Sequence, residues 1–386
     1  MGGTTCSANA DCSADSFCTG EGRCVSDVVS VAAGYSHTCA VRKDGKVFCW
    51  GGNDTAQVGM AAGGNVLRPV EVPINEPIRK LALGGGFSCA ITTDDRVVCW
   101  GDNQVGQLGD GTVGGNRAEP AFVKMHDGSD LHSVGDLGAG SCFSCALTSS
   151  SGVSVYCWGC NNRSQLGLNT AESAQSAVPV PVPSAATAQQ LAVGYEEAHF
   201  LGSDTICGWG SNAGAALSGA TTTTFAVPTC FALAPVQQTF LGEGYGCARL
   251  VSGGVQCWGL QIGSSTILAP PGTIVPGIVA TTLGGGMGHV CVRDANANVR
   301  CWGANFYGSL GDGTSQDSTI PTTVLDAQGA ALAGVLSGGL TSSGVALHGC
   351  AILGDGSLYC WGWNLMGQIG NGASNNNEPN ATPVKW

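Results

Sequence analysis

Short apolar segments alternate with glycine-containing turns along the whole chain, and the first clear example lies at residues 32–52. It reads AAGYSHTCAVRKDGKVFCWGG, in which two apolar stretches flank the polar loop Lys43–Gly45. A three-residue loop that ends in glycine suits a type I turn closed by a bulge. Pairing inward from the two ends places residues 40 and 41 opposite residues 48 and 47. The pattern therefore predicts an antiparallel β-hairpin.

The dipeptide Trp-Gly marks such a hairpin seven times. Successive tryptophans are 50, 58, 51, 49, 44 and 59 residues apart, at Trp50, Trp100, Trp158, Trp209, Trp258, Trp302 and Trp361. A period of this length, carried by apolar strands and glycine turns, is typical of propeller blades, which bury their faces only against neighbouring repeats. We expect an all-β fold: a seven-bladed β-propeller over residues 28–386, preceded by a short disulfide-rich N-terminal extension at residues 1–27.

Cysteines recur at fixed places in these hairpins. Six of the seven tryptophans directly follow a cysteine, and each of these cysteines has another one 10 or 12 residues upstream. The hairpin pairing sets the two opposite each other, close enough for a disulfide, while strand alternation turns the tryptophan to the other face. A further pair around the third hairpin obeys the same antiparallel register. The predicted bridges are Cys39–Cys49, Cys89–Cys99, Cys142–Cys160, Cys145–Cys157, Cys247–Cys257, Cys291–Cys301 and Cys350–Cys360.

The fourth repeat departs from this pattern. His199 takes the place of the upstream cysteine, and Cys207 lies two residues before Trp209 instead of one. The remaining candidate partner of Cys207 is Cys230, so we expect the bridge Cys207–Cys230.

The N-terminal extension holds the last four of the 20 cysteines, at Cys6, Cys12, Cys18 and Cys24. Four cysteines allow three connectivities. We favour Cys6–Cys18 with Cys12–Cys24 and leave the other two open. The segment is either a passive stub or a tether to the cell surface. Pairing of all cysteines favours an oxidising compartment, because structural metal sites need clusters of four ligands instead.

A second marker follows each Trp-Gly. It reads GQLGDG at residues 106–111, and the fifth repeat barely retains it, as Ile262-Gly263. A proline-led apolar segment comes next and is predicted to be an edge strand, where proline is tolerated. The last such segment, residues 382–386, is expected to complete the blade begun by the first repeat and so to clasp the ring. An asparagine with a predicted turn-forming role also recurs after Trp-Gly, at Asn53, Asn103, Asn161, Asn212, Asn305 and Asn364.

These motifs together resemble the regulator of chromosome condensation repeat family. The matching pattern is Gly-x-x-His-Thr, an apolar strand, Asp-Gly, Cys-Trp-Gly-x-Asn and Gly-Gln-Leu-Gly-Asp-Gly. The resemblance covers about Val28 to Trp386 and implies a seven-bladed propeller. The paired cysteines depart from the eukaryotic members and resemble secreted bacterial ones.

Charge excludes several partners. The formal net charge is -12 with 15 Lys plus Arg, and no basic stripe is visible, so we expect no binding to nucleic acid or to anionic membranes. No apolar run is long enough for a transmembrane helix. Met1-Gly2-Gly3 looks like an added start, and this chain shows no signal peptide. The disulfides nevertheless predict a secreted or cell-surface protein.

No catalytic motif, cofactor site or metal site is recognised in the sequence. Three histidines, His37, His289 and His348, occupy equivalent turn positions, where we expect the ring to satisfy backbone groups. Function should instead lie where equivalent positions differ between blades. The variable positions fall in one loop, four and two residues before the upstream cysteine.

This loop joins two strands at one end of the ring, and in a plant member of the family it presents interaction residues. The first of its variable positions holds Tyr35, Gly85, Ser141, Tyr195, Glu243, Met287 and Ala346. We expect binding through Tyr35, His37, Phe87, Phe143, Tyr195, Glu197, Tyr245, Met287, His289 and His348, because such residue types anchor interfaces. The alternative is that half of the aromatic residues plug the central channel. A second candidate face holds Phe306, Tyr307, Trp363 and Met366.

The favoured function is a secreted or cell-surface module that binds an extracellular protein or glycan through one propeller face. An inhibitor of an extracellular enzyme is a narrower form of it. A different class is an extracellular polysaccharide lyase or hydrolase, whose acid–base groups in a central funnel would come from Tyr35, His37, Tyr195, Glu196, Glu197 and Glu243. Nucleotide exchange on a small GTPase, the activity of the family's namesake, is opposed by the dense disulfides.

Overall fold

In a computed structural model, seven four-stranded antiparallel sheets surround one axis. The structure describes residues 27–149, 154–170, 173–203, 205–217, 222–260 and 267–386, with the backbone of residues 17–18 and 24–25. The prediction of an all-β, seven-bladed propeller is confirmed. The favoured N-terminal bridges, Cys6–Cys18 and Cys12–Cys24, fall outside the described residues.

Two short strands, β1 (Phe17–Cys18) and β2 (Cys24–Val25), pair with each other. Blade 1 consists of β3 (Val28–Ala33), β4 (His37–Arg42), β5 (Val47–Gly51) and β6 (Val66–Glu71). Blade 2 consists of β7 (Ile78–Leu83), β8 (Phe87–Thr92), β9 (Val97–Asp102) and β10 (Asn116–Phe122). Blade 3 consists of β11 (Val134–Ala139), β12 (Phe143–Thr148), β13 (Ser154–Cys160) and β14 (Gln175–Pro181).

Blade 4 consists of β15 (Gln190–Val193), β16 (Glu197–Leu201), β17 (Thr205–Ser211) and β18 (Thr224–Ala232), with a short 3-10 turn at Ala213–Ala215. Blade 5 consists of β19 (Val236–Leu241), β20 (Tyr245–Leu250), β21 (Val255–Leu260) and β22 (Ile267–Ile274). Blade 6 consists of β23 (Ala280–Gly285), β24 (His289–Asp294), β25 (Val299–Gly303) and β26 (Ser318–Thr323). Blade 7 consists of β27 (Val335–Leu340), β28 (His348–Leu353), β29 (Leu358–Trp363) and β30 (Asn377–Pro383).

The first strand of each blade lies on the inside of the ring, where it contacts the first strands of both neighbours. The fourth strand is the outer edge, and it carries the prolines, as in β6 and β10. The predicted edge strands are therefore confirmed. Within the part of the chain that the structure describes, no helix is long and apolar enough to cross a membrane.

The predicted clasp of the ring is wrong. β30 pairs with β29, with Thr382 opposite Cys360, and so completes blade 7 instead of blade 1. Blade 1 needs no borrowed strand, because β3 and β6 already occupy its inner and outer edges. Side chains and backbone both contribute to the closure of the ring. The Trp386 ring packs against Phe48 and Trp50, with centroids 5.4 and 6.2 Å apart, and the Gly372 N–H donates to the Leu67 carbonyl at 3.0 Å.

The hairpins and their bridges follow the sequence prediction. Cys39 pairs with Cys49 in the register that was expected, and Gly45 closes the loop with φ near 82°, donating to the Arg42 carbonyl at 2.9 Å. A positive φ costs little only for glycine, which explains this residue in the turn. The eight bridges of the described residues are Cys39–Cys49, Cys89–Cys99, Cys142–Cys160, Cys145–Cys157, Cys207–Cys230, Cys247–Cys257, Cys291–Cys301 and Cys350–Cys360.

Neighbouring blades are held together by the tryptophans. The disulfide face of one blade packs in the same apolar cluster as the tryptophan of the next, as Cys89 and Cys99 do with Trp158. At the six junctions whose second marker the structure describes, the indole N–H donates, at 2.7–3.0 Å, to a carbonyl in that marker on the preceding blade. A buried indole needs such an acceptor. The pairs are Trp50 with Gln368, Trp100 with Gln57, Trp158 with Gln107, Trp209 with Gln165, Trp258 with Ala216, and Trp361 with Ser309.

The recurring asparagine shapes the turn that supplies this acceptor. In blade 2, the Asn103 side chain accepts from the Leu108 N–H at 3.2 Å and donates to the Thr112 carbonyl at 3.1 Å. The equivalent asparagines of blades 1, 3, 4, 6 and 7 also accept from the N–H five residues ahead. The predicted turn-forming role is confirmed.

Candidate functional site

Two sets of loops emerge on the same end of the propeller, which we call the loop face. They are the loops between the first and second strands and those between the third and fourth strands, residues 34–36 and 52–65 in blade 1. Tyr35, from the first set, contacts Trp363, at the start of a loop of the second set, with ring centroids 5.5 Å apart. The expectation of two separate candidate faces is therefore wrong: both residue sets belong to the loop face.

The variable residues two positions before the upstream cysteine form a buried layer between the blades. None exposes more than 2% of its surface; they are His37, Phe87, Phe143, Glu197, Tyr245, His289 and His348. The Tyr245 hydroxyl, for example, reaches blade 6, where its single proton is shared between the Gly286 and His289 carbonyls, both 2.8 Å away. These side chains position the loops, and they have no exposed surface with which to touch a partner.

The histidines of the buried layer are neutral. The Thr38 hydroxyl donates to the Gln368 carbonyl at 2.7 Å, so the His348 Nε2, 2.6 Å away, donates to the Thr38 oxygen. His37 Nε2 lies 2.8 Å from the Ser88 hydroxyl. Burial lowers the pKa of His37 and of His348 to about 3. These two rings connect blades 7, 1 and 2 without carrying a charge.

Glu197 is the acidic member of the buried layer. Its carboxyl accepts the Gly244 N–H and the Glu196 N–H, both at 2.9 Å, and so connects blades 4 and 5. Burial raises the pKa of Glu197 to about 8, although the two N–H groups favour the charged form. The carboxyl is therefore largely protonated in neutral solution.

The residues four positions before the upstream cysteine form a belt whose backbone connects the blades. The N–H of Ser141 donates to the Tyr195 carbonyl at 2.9 Å, and the N–H of Met287 donates to the Ala346 carbonyl at 2.8 Å. Of the ten predicted binding residues, Tyr35 is 37% exposed, and Tyr195 and Met287 are partly exposed. Only these three reach the surface.

Exposed aromatic residues surround Trp363 on the loop face. Tyr35 of blade 1 contacts one side of Trp363, and Tyr307 of blade 6 contacts it at 5.8 Å. Phe306 is 75% exposed and Tyr307 is 41% exposed. We call Tyr35, Phe306, Tyr307 and Trp363 the aromatic patch. It spans three consecutive blades and joins residues from both predicted sets.

Acidic side chains dominate the rest of the loop face. Burial and then the charges of Glu243 and Glu196 raise the pKa of Tyr195, and burial with the Glu196 charge raises the pKa of Glu243. These groups of blades 4 and 5 therefore lie close together. The described loops of this face carry one cation, Arg163, which pairs with Glu196 at 3.7 Å. Their carboxylates are Asp54, Asp110, Glu196, Glu243, Asp312 and Asp317.

A loop of blade 7, and not a set of aromatic residues, plugs the channel. Seven residues, 341–347, connect β27 to β28, where three suffice in blade 1. The backbone N–H of Ser343 donates to the Gly285 carbonyl at 3.2 Å. Gly344 crosses the axis, and a Cβ there would lie 2.5 Å from the Gly194 Cα of blade 4. Only glycine fits at this crossing.

A cavity of about 240 Å³ lies among the inner strands beyond this plug, away from the loop face. Several of its polar groups are paired within the chain: the Asp136 carboxyl accepts the Leu191 N–H at 3.1 Å and binds the Lys80 ammonium, and Gln190 accepts the Thr239 N–H at 2.9 Å. The Ser343 hydroxyl also lines the cavity and has no hydrogen-bond partner among the described residues. The six residues considered for an enzyme, Tyr35, His37, Tyr195, Glu196, Glu197 and Glu243, do not line this cavity. In the described parts of the chain, His, Cys, Asp and Glu form no cluster suited to a metal ion.

Several segments match models of the Regulator of chromosome condensation (RCC1) repeat. The matched residues are 28–57, 78–107 and 342–368 with one model and 44–91 and 154–197 with another. Together with the seven blades, these matches support the RCC1 family. The chain is also 27% identical over 294 residues to the Ultraviolet-B receptor UVR8 of Arabidopsis thaliana. The alignment covers 72% of this chain and 63% of the receptor. The chain thus spans less than two thirds of that receptor.

Solved structures agree with the fold. Prp20p of Saccharomyces cerevisiae superposes with a TM-score of 0.74 at 21% identity, over 90% of this chain and 87% of Prp20p. Human WBSCR16 superposes with a TM-score of 0.68 at 22% identity, over 77% of this chain and 81% of WBSCR16. At such identities the likeness shows the propeller architecture alone.

Proposed function

We propose that this chain is a secreted or cell-surface binding module that holds a protein partner on its loop face. The observation that carries the proposal is the aromatic patch around Trp363, in which Phe306 and Tyr307 stand exposed. Aromatic side chains are enriched among the residues that dominate protein–protein affinity. A rigid ring presents them at little cost in conformational entropy.

The charge of the loop face indicates what kind of surface the partner presents. Its described loops carry six carboxylates, of which Asp110 pairs with Arg117 of β10 and Glu196 pairs with Arg163. The chain as a whole carries a formal charge of -12. Burial and then the nearby Glu196 charge raise the pKa of Glu243, and a cation from a partner would relieve the repulsion between the two carboxyl groups. Complementary charge speeds association and excludes wrong partners. The partner surface is therefore basic.

Similar proteins support a binding or regulatory module. One is named as a receptor, and the structure of Prp20p was reported with its binding to Gsp1p and histones. The eight disulfides of the described residues support an oxidising compartment. Under this proposal the cysteine-rich segment at residues 1–27 is a tether to the cell surface. The same loop face would also serve an inhibitor of an extracellular enzyme.

A photo-crosslinking amino acid at Phe306 tests the proposal in the native extracellular fluid. The matched control carries the same group at Val251, which is 64% exposed in the turn between β20 and β21, away from the loop face. We expect one protein to be captured from position 306 and not from position 251. Equal capture at both positions, or capture from position 251 alone, contradicts the proposal, and retention on a glycan array without any protein capture would favour a glycan instead.

An enzyme remains the alternative class because Glu196 and Glu243, from neighbouring blades, interact electrostatically. Two carboxyl groups that flank the glycosidic bond are the usual catalytic pair of glycan-cleaving enzymes. Incubation with a panel of polysaccharides measures this directly. Turnover that disappears in Glu243→Gln would establish that the chain is an enzyme. Absence of any product in the same panel would favour the binding module.

A further inference from the structure

The inner strands of blades 1 to 6 carry a polar residue at one repeated position, seven residues before the second strand begins. In blades 3, 4 and 5 the side chain at this position accepts a backbone N–H of the next blade. The three pairs are Asp136 with Leu191 at 3.1 Å, Gln190 with Thr239 at 2.9 Å, and Gln238 with Leu283 at 2.9 Å. The inner edges of blades 4, 5 and 6 therefore each receive one side-chain acceptor.

Blades 1 and 2 differ at this inner edge. The repeated position holds Ser30, whose hydroxyl makes no hydrogen bond with a described residue, and Lys80, whose ammonium can only donate. Val31 and Leu81 share the ladder register of Leu191, whose N–H leaves its own sheet to reach blade 3. A residue in that register turns both its N–H and its carbonyl away from the partner strand. The backbone of blades 1 and 2 therefore offers donors and acceptors to the cavity of about 240 Å³ that these residues line.

The blade 7 plug forms one end of this cavity. Ser342 is exposed there, whereas Ser343 is 8% exposed and its hydroxyl has no hydrogen-bond partner among the described residues. A buried hydroxyl without a partner is costly, so it indicates a place where a ligand can supply the missing bond. Because the plug crosses the axis at Gly344, a ligand enters from the end opposite the loop face.

The lining favours an uncharged ligand that is rich in hydroxyl groups. Lys80 and Asp136 are the charged residues of the lining, and they pair with each other. The other polar groups include both donors and acceptors, which suits a hydroxyl because it donates one hydrogen bond and accepts others. Leu83, Val193 and Leu340 add an apolar wall. The cavity is smaller than the pockets of ~300–1,000 Å³ that hold drug-sized ligands, so it suits a molecule with a single ring.

We propose that this cavity binds one neutral sugar ring, either as a free monosaccharide or as the terminal unit of a glycan. The sugar hydroxyls bond the backbone of Val31 and Leu81 and the hydroxyl of Ser30, and one of them bonds the Ser343 hydroxyl. The C–H groups of the ring pack against the apolar wall. The plug separates this site from the loop face, so the site is distinct from the aromatic patch and from the protein partner proposed for it.

Saturation-transfer difference NMR on the full chain tests the proposal. The probes are D-glucose, D-galactose, D-mannose and N-acetyl-D-glucosamine, each added alone. We expect at least one of them to give a saturable signal. The methyl glycoside of that sugar then separates the two sources: binding of the glycoside indicates the end of a glycan, and loss of binding indicates a free monosaccharide.

Two variants check the location. Ser30→Gln supplies the acceptor that blades 4 and 5 use, so it should bond the Leu81 N–H, raise the melting temperature and weaken sugar binding at least about tenfold. Ser343→Ala removes the unpartnered hydroxyl, so it should weaken binding between about twofold and tenfold without lowering the melting temperature. Ser252→Ala, exposed in the turn between β20 and β21, is the matched control and should change neither quantity.

Three results would overturn the proposal. They are the absence of a saturable signal with all four sugars, unchanged affinity in both Ser30→Gln and Ser343→Ala, and loss of the signal in Phe306→Ala, which would place the sugar on the loop face. Unchanged sugar binding in Phe306→Ala is the expected result. Because that variant alters the loop face alone, failure of the sugar site and failure of the proposed protein-binding function can be told apart.

Discussion

Two positions that lie two residues apart in each blade differ in burial. Tyr35 stands partly exposed against Trp363, whereas His37, two residues later, is fully buried and bonded to Ser88 of the next blade. Both positions vary strongly between blades. Variation at the position of Tyr35 changes the surface that the loop face presents to a partner. Variation at the position of His37 changes the packing between neighbouring blades. Sequence variety among repeats therefore does not by itself mark a binding surface.

The largest effect should come from truncating the buried layer. Phe143→Ala removes a fully buried ring between blades 3 and 4, with Trp209 in the same cluster. We expect a loss of about 3–5 kcal/mol in the free energy of unfolding, measured by denaturant titration. The folded fraction should keep its affinity for the partner. A stable variant that has lost binding would place Phe143 in the interface.

The next effect depends on pH and on Glu197. Its pKa is raised from 4.5 to about 8 in the folded state. Its stabilising contribution is therefore complete below pH 4.5 and is lost as the pH rises to about 8, because only the unfolded state ionises freely in that window. We expect a decline on the order of a few kcal/mol in the free energy of unfolding between these limits.

The control for this prediction is Glu197→Gln. Its amide NH₂ faces an N–H donor, either that of Glu196 or that of Gly244, so the variant should be less stable at low pH. It should nevertheless lose the decline between pH 4.5 and pH 8. A decline of unchanged size would show that another group controls the pH dependence.

A smaller change in stability is expected at the exposed position. Tyr35→Ala deletes a partly exposed ring and its edge contact with Trp363, so the free energy of unfolding should fall by about 1 kcal/mol or less. The affinity for the partner should fall by at least about tenfold. A large loss of stability with intact binding would reverse the roles given to the two positions.

The smallest effect concerns salt. The carboxylates of the loop face, among them Glu243, should speed association with a basic partner. Raising the ionic strength from about 0.01 to 0.15 M shortens the Debye length from ~30 to ~8 Å, so the association rate should fall while the dissociation rate hardly changes. Stopped-flow measurements check this, and an association rate that rises with salt would contradict the acidic face.

The local parts of the fold could be predicted from the sequence, and the contacts between blades could not. Cys39 and Cys49 are ten residues apart, so hairpin register alone pairs them. The clasp prediction failed because the sequence of residues 382–386 is the same whether the last strand completes blade 7 or blade 1. The strand pairing shows that the last strand belongs to blade 7, since Thr382 lies opposite Cys360.

The same limit explains what was missed in the candidate site. The sequence analysis assigned Tyr35 and Trp363 to two different candidate faces. Their contact joins the first blade to the last, so it forms only when the ring closes. It could not show that Tyr245 is buried, since blade 6 covers it. The longer blade 7 loop was visible as extra residues before His348, yet its plugging role depends on Gly344 reaching blade 4.

The account stands on the aromatic patch as the contact surface for a protein. The most direct test is surface plasmon resonance with the partner captured at position 306, comparing the parent chain with Phe306→Ala and Trp363→Ala after both variants are shown to fold. We predict that Trp363→Ala weakens binding by about 100-fold and Phe306→Ala by a smaller factor. Affinities equal to that of the parent chain in both folded variants would contradict the assignment of the aromatic patch as the contact surface.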